Sequence, residues 1–316
     1  MSLKMENEDI RIGTLVDSRM KSPEYIRQII NHGFESFGLT FWQTTKGINW
    51  KELAEKIRAI TDPKGIVISS LAIFGNPLEK EEADIETLNS FKACIDNAHL
   101  FGADIVSGFT GRIRNRPIDE SLPRFKEVFS ELSDRASDKG VKIAFENCDM
   151  GGTWFSGDWN IAHNPTAWEM MFNEVTADNI GLEWEPCHQL VSLIDPMPQL
   201  RKWVDKIFHV HGKDATIHWD VIREYGIHSS MHQDIALPKN MQPVPPFAYH
   251  RTPGFGDSDW TAIISELRKG GFKGSIDIEG WHDPVYKDEL EMTGQVHALN
   301  YLKQCRGGSY IKNPIV

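Results

Sequence analysis

The 316-residue sequence predicts an α/β chain folded as a single closed (β/α)8 TIM barrel, and three observations carry that reading. Eight short apolar runs occur in order, most of the gaps between them hold amphipathic helical patterns, and the later runs each end in a polar side chain. Alternating strands and helices imply right-handed βαβ units and a parallel sheet, and eight such units point to closure. A doubly wound open sheet is the alternative, weakened by the lack of a Gly-x-Gly-x-x-Gly stretch after the first run.

The runs are RIGTLVD (11–17), ESFGLTF (35–41), GIVISSLAIF (65–74), DIVSGFT (104–110), KIAFEN (142–147), IGLEWEP (180–186), KIFHVHGKD (206–214) and SIDIEGW (275–281). Between them, SPEYIRQIINHG (22–33), NWKELAEKIRAITDPKG (49–65), DIETLNSFKACIDNAHLFG (84–102) and LPRFKEVFSELSDRASDKG (122–140) place apolar residues three and four apart and end on Gly. That spacing is the helical period, and Gly supplies the left-handed stop. The whole chain, 1–316, reads as one barrel domain with a long loop over 215–259 after strand 7 and a C-terminal extension over 306–316. The long loop leaves the strand end where barrels place chemistry, which suggests a lid or binding loop; an oligomer contact is the alternative.

Composition narrows the function. Asp and Glu outnumber Lys and Arg by 45 to 34, a net charge of −11, which disfavours nucleic acid as a partner. No run of 18 apolar residues and no signal-like segment is visible, so no membrane partner and a cytoplasmic location are expected. Cys94, Cys148, Cys187 and Cys305 are scattered, as reduced thiols would be. Homodimers or homotetramers remain open.

Alternation along a strand sorts the polar residues. Glu183 and Glu185 share one face, as do His209 and His211, Asp277 and Glu279, and Lys142 and Glu146. The apolar neighbours take the other face, so the polar set must point into the barrel. Buried charges are costly unless paired or bound to an ion. The upper layer, Glu146, Glu185, His211 and Glu279, is the candidate metal site. The lower layer, Lys142, Glu183, His209 and Asp277, is expected to orient it. A buried ion-pair network without a metal is the plain alternative. Three carboxylates and an imidazole suit one divalent ion of intermediate hardness, Mn²⁺ first, with Mg²⁺, Co²⁺ or Zn²⁺ as alternatives.

The pieces FEN with Glu146, EPCH with Glu185 and His188, HVHGKD with His211, IDIEGW with Glu279, and RTPGFGDSDW (251–260) resemble the sugar phosphate isomerase/epimerase family, the xylose isomerase-like TIM barrels. One departure is Glu185, where that family usually has Asp. The resemblance implies a small carbohydrate substrate and a metal-stabilised enediolate formed by proton abstraction next to a carbonyl, with Glu146 and Glu279 as catalytic base and acid. His188, Arg251 and Lys213 are candidate substrate-oxygen binders, and Trp42 and Trp281 candidate stacking residues; the loop tryptophans Trp154 and Trp159 are further candidates to cap the pocket. Epimerase or isomerase is the leading reading. A lyase or dehydratase acting on a keto-sugar, keto-glycoside or inosose with the same metal site is the alternative, and a non-catalytic sugar- or metal-binding barrel is a third. An apurinic-endonuclease-like reading lacks the extra histidines on strands 2 to 4.

Overall fold

The computed structural model describes residues 9–18, 21–228, 245–280, 282–309, 311 and 314. Strand β1 (Arg11–Asp17) leads to α1 (Ser22–Ile29), β2 (Ser36–Trp42) to α2 (Trp50–Thr61), β3 (Val67–Phe74) to α3 (Glu82–Phe101), and β4 (Ile105–Gly108) to α4 (Ile118–Asp138). Strand β5 (Lys142–Glu146) leads to α5 (Pro165–Glu174), and β6 (Ile180–Trp184) to α6 (Pro186–Val191) and α7 (Pro196–Trp203). After β7 (Ile207–Gly212) come β8 (Asp214–Ile217), α8 (Trp219–Tyr225), β9 (Ala248–Arg251), α9 (Trp260–Lys269), β10 (Ser275–Ile278) and α10 (Glu291–Arg306). Eight strands close a parallel barrel in the order β1-β10-β7-β6-β5-β4-β3-β2.

The helices form where the sequence supplies their caps and apolar stripes. Asn49 accepts a hydrogen bond from the Glu52 amide to start α2, and Asp259 accepts one from Ala262 to start α9. Helix α4 buries Phe125, Val128, Phe129 and Leu132 at three- and four-residue spacing. The Phe129 ring meets Phe145 edge-on at 4.8 Å, so the outward face of β5 is sealed by aromatic contact.

The barrel interior is polar on one side and needs room for it. At Gly13 an added Cβ would come within 2.2 Å of Asp277 Oδ1 and 2.1 Å of Ser36 Oγ. The missing side chain lets Asp277 take hydrogen bonds from Ser36 Oγ at 2.5 Å and from Ser69 Oγ. Lys142, expected in this lower layer, is not there. It begins β5 at the rim and is exposed, and its ammonium lies 4.8 Å from the centre of the Phe208 ring on the outer face. A long aliphatic stem at a strand start reaches solvent more cheaply than it enters a dry barrel.

The segment after β7 carries structure of its own. Strands β8 and β9 pair antiparallel, Asp214 with Arg251 through Ile217 with Ala248. Cys187, Val191, Ala215, Ile217, Phe247 and Ala248 form a small apolar core separate from that of the barrel, and it seats the β8–β9 pair on α6. Asp214 ties the base of the segment: it accepts from Ser258 Oγ at 2.6 Å and from Trp260 Nε1 at 3.0 Å.

Candidate metal centre

Four side chains converge at the C-terminal mouth of the barrel. Glu146 ends β5, Glu185 precedes the first residue of α6, His211 lies within β7 and Glu279 follows β10. One potential ligand atom from each lies within 4.8 Å of the others, and all four residues are buried. His211 Nδ1 is 3.2 Å from Glu146 Oε1 and 3.3 Å from Glu279 Oε2, while its Nε2 is 3.2 Å from Glu183 Oε1.

The surroundings fix each of these groups. Asn147 brackets the Glu185 backbone, accepting from its amide at 2.7 Å and donating to its carbonyl at 3.0 Å. Asn160 donates to the carbonyls of Glu146 and Cys148 at 2.8 and 2.7 Å. Below, Asp277, His209, Glu183 and His211 alternate carboxylate and imidazole along the barrel interior. His209 Nε2 is 2.8 Å from Asp277 Oδ2, and His209 Nδ1 is 2.7 Å from Glu183 Oε1. Above, Lys213 Nζ donates to Glu279 Oε1 at 2.8 Å, and His282 Nε2 is 2.9 Å from the same oxygen.

Charge is balanced unevenly. Burial pushes Glu146 up to about 7 against the pull of His211, with the carboxylates of Glu279 and Glu185 adding to the rise. Burial also opposes the ionised form of Glu279, but the Lys213 ammonium and the His211 and His282 rings outweigh it and hold the carboxyl well below its usual range. Burial disfavours a charged His209, yet Asp277 and Glu183 together raise it to about 9. The two histidines in turn overcome burial and draw Glu183 down to about 2.

These residues suit a divalent ion. Among the described residues neither carboxylate oxygen of Glu185 has a hydrogen-bonded partner, and neither does Glu279 Oε2. Glu185 Oε1 approaches His188 Nε2 at 3.0 Å and Lys213 Nζ at 3.9 Å without a hydrogen bond to either. Buried carboxylate oxygens without donors are costly, and a cation among them removes that cost. Oxygen and imidazole donors belong with a cation of intermediate hardness.

A family model described as a xylose isomerase-like TIM barrel matches residues 26–305. The chain belongs to the xylose isomerase-like TIM barrel family. Rhizopine catabolism protein MocC of Rhizobium meliloti is 26% identical over 212 residues, which cover 65% of this chain and 56% of that protein. Inosose dehydratase of Clostridium perfringens is 23% identical over 186 residues, 59% of this chain and 55% of the enzyme. The chain thus matches just over half the length of these two relatives. Among solved structures, 3-keto-D-glucoside 4-epimerase from E. coli superposes with a TM-score of 0.67 at 15% identity, covering 94% of this chain and 100% of that one. L-ribulose 3-epimerase gives 0.65 at 15% identity, covering 94% and 96%. At such identity the likeness to the two structures is one of fold.

Around this candidate centre, the other candidate residues divide. Lys213 and His188 adjoin the cluster, Nζ to Nε2 at 3.3 Å. Arg251 directs its Nε to buried Asp283 at 3.1 Å, which fastens β9 to the chain after β10. Trp42 is 40% exposed at the end of β2 and packs on Trp159 with ring centroids 5.5 Å apart. Trp159 precedes Asn160, so this aromatic pair is attached to the backbone of Glu146. Trp154 is partly buried against the core. Trp281 lies outside the described residues.

Two neighbours of the centre, His250 and His282, are not among the candidate site residues read from the sequence. His250 comes from β9, and its ring packs edge-on to His188 at 5.1 Å and to His282 at 5.9 Å. His282 stands three residues after Glu279, and that spacing was the only local signal for it. His250 is one of several histidines in the long loop over 215–259 expected to lie over the site, but nothing local paired it with His188, because it comes from a strand whose partner is more than thirty residues away. Among the described residues no helix is long and apolar enough to cross a membrane.

Proposed function

We propose that this chain is a metal-dependent enzyme that removes a proton from the carbon beside a carbonyl in a keto-sugar, keto-polyol or related carbohydrate. Protonating the same carbon from the opposite face gives an epimer, and protonating the neighbouring carbon gives an isomer. The convergence of Glu146, Glu185, His211 and Glu279 within 4.8 Å carries this reading. These four residues would hold the ion, with Mn²⁺ the first expectation and Mg²⁺, Co²⁺ or Zn²⁺ the alternatives. A divalent ion held there would supply positive charge that stabilises the enediolate oxygens formed when the proton leaves the carbon beside the carbonyl.

The protein groups divide the proton work. Glu279, kept ionised by Lys213, accepts the proton, and Glu146, whose burial favours the protonated form, returns one. They approach His211 from different strands, β5 and the end of β10, with β6 and β7 between them in the ring. Such an arrangement supports protonation on a different face. Lys213 and His188 offer hydrogen-bond donors to substrate oxygens.

A second reading, dehydration, is supported by one observation. The sequence matches among curated proteins include inosose dehydratases, whereas the epimerases resemble this chain at 15% identity. Here the same proton loss is followed by departure of a β-hydroxyl, with Lys213 and His282 placed beside Glu279 to donate to it.

Proton NMR in D₂O with Mg²⁺ tests both readings over ketoses, inososes and 3-keto-glycosides. Loss of one C–H signal beside the carbonyl supports proton abstraction. A new diastereomer or isomer then identifies an epimerase or isomerase, and an unsaturated ketone identifies a lyase. A protein with its ion bound that exchanges no C–H on any of these compounds counts for a non-catalytic binding barrel.

A further inference from the structure

The β8–β9 pair turns one face toward the site. Alternation puts Ala248 and His250 on one side of β9, with Tyr249 and Arg251 on the other. Ala248 is packed in the small core on α6, and His218 meets Tyr249 at 4.7 Å on the opposite side. His250 therefore extends the α6-facing side by one step and lands over His188, which α6 carries.

Three features mark His250 as a ligand-contacting group. Its Nδ1 is buried and has no hydrogen-bonded partner among the described residues. The neighbouring His188 Nδ1 is in the same condition, in a side chain that is 5% exposed. The charged groups facing His250 are Lys213, His188, His282 and Glu279, all from the wall of the candidate site. A buried imidazole nitrogen with no partner costs free energy unless something polar fills its place. Burial and the adjacent Lys213 charge hold His250 well below the usual histidine range, so the ring is neutral and offers one lone pair and one N–H.

We propose that His250 is a substrate-binding residue, and that its Nδ1 and that of His188 take adjacent hydroxyls of a polyhydroxylated ring. This rests on the proposed function for the identity of the site. It adds a substrate class, a ring bearing vicinal hydroxyls away from the reacting carbon, and a recognition element brought by the segment after β7. Neighbouring hydroxyls each donate and accept, and two imidazole nitrogens side by side match that pattern.

The test measures binding apart from turnover. The probe is myo-inositol, which has no carbonyl and cannot be enolised, added to Mn²⁺-loaded protein and followed by calorimetry. His250→Phe keeps an aromatic ring edge-on to His188 and His282 but removes both nitrogens. His250→Asn keeps a polar atom near the place of Nδ1. The expected result is a dissociation constant raised about tenfold in the Phe variant, the loss of about one hydrogen bond, and restored to within about threefold of wild type in the Asn variant. Ion content and melting temperature should match wild type in both. Unchanged binding in the Phe variant overturns the assignment, as does an Asn variant no better than Phe. A wild type that does not bind the polyol also overturns it. The proposed function fails by a different sign, the absence of C–H exchange in wild-type protein on carbonyl compounds.

Discussion

Glu183 and His211 adjoin at the base of the candidate metal centre: Glu183 Oε1 lies 3.2 Å from His211 Nε2, without a hydrogen bond between them. The same oxygen is 2.7 Å from His209 Nδ1, and His209 reaches Asp277 on its other side. Nε2 of His211 thus sits beside a carboxylate, while Nδ1 faces Glu146 at 3.2 Å and Glu279 at 3.3 Å. A carboxylate behind a metal-binding histidine sets its tautomer and raises its basicity. Glu183→Gln should weaken Mn²⁺ binding by about 10- to 100-fold while the fold persists. Calorimetric titration with Mn²⁺ checks this, and an unchanged affinity would remove the positioning role.

The ligand set makes its own prediction. Protein purified without chelator should carry about one divalent ion per chain, and His211→Ala should lose it. Mn²⁺ at about a hundred times its dissociation constant should stabilise the wild type by about 2.7 kcal/mol, seen as a higher melting temperature. Full ion occupancy in His211→Ala, measured by elemental analysis, would sink the ligand assignment.

Proton abstraction should depend on Glu279. Replacing it with Gln should slow C–H exchange in D₂O by roughly 10²–10⁴-fold once the ion is supplied at saturation. Lys213→Met should slow it less, because the carboxylate loses its 2.8 Å partner but remains in place. Wild-type exchange rates in Glu279→Gln would show that another group takes the proton.

Stability in acid should report the clamp between Glu35 and Arg306. Arg306, at the end of α10, donates to Glu35 Oε2 at 2.6 Å and Oε1 at 3.0 Å, and to the Ile10 carbonyl at 2.6 Å. Burial raises the Glu35 carboxyl, but Arg306 and the Ile12 amide outweigh it and leave it below its ordinary 4.5. A depressed carboxyl stabilises the fold above its unfolded value, and that contribution fades as pH falls through the folded value. The Glu35→Gln variant should therefore be less stable by about 1–2 kcal/mol near neutrality, allowing for partial exposure, with the gap closing in acid below about pH 4.5. Urea titrations at several pH values check it, and a gap that stays constant into acid rejects it.

Gly13→Ala should disturb the site from the far end of the barrel. The new methyl group would collide with Ser36 Oγ and Asp277 Oδ1, within 2.1 and 2.2 Å. Moving Asp277 releases His209, and through Glu183 it releases His211. Lower stability should accompany weaker Mn²⁺ binding, each measured separately; a stable variant with wild-type affinity would show that the chain of contacts does not transmit.

Much of this was legible in the sequence because the barrel strands are short and period two is strict. Glu146, Glu185, His211 and Glu279 could be aligned from strand ends alone, and the structure brings them to one place. Lys142 misled the same logic: alternation gives a side, but at the first residue of a strand there is no neighbouring layer to enclose it. The β8–β9 pair was hidden for a different reason. HVHGKD reads as one strand, while the chain passes from β7 to β8 at Lys213, and the partner of β8 is more than thirty residues away. Asn147 and Asn160 act through backbone groups of Glu185 and Glu146, and side chains that grip a distant main chain leave no periodic trace.

The small core on α6 has an evolutionary consequence. The apolar side of the β8–β9 pair rests on Cys187 and Val191, so apart from Asp214, which holds Trp260 of the main core, its packing is separate from that of the barrel. Helix α6 and this pair are in effect a cassette, heritable or transplantable as a block. If the block were exchanged for that of a related barrel, the proposed contacts of His188 and His250 would move with it, while Glu146, His211 and Glu279 would stay with the strands.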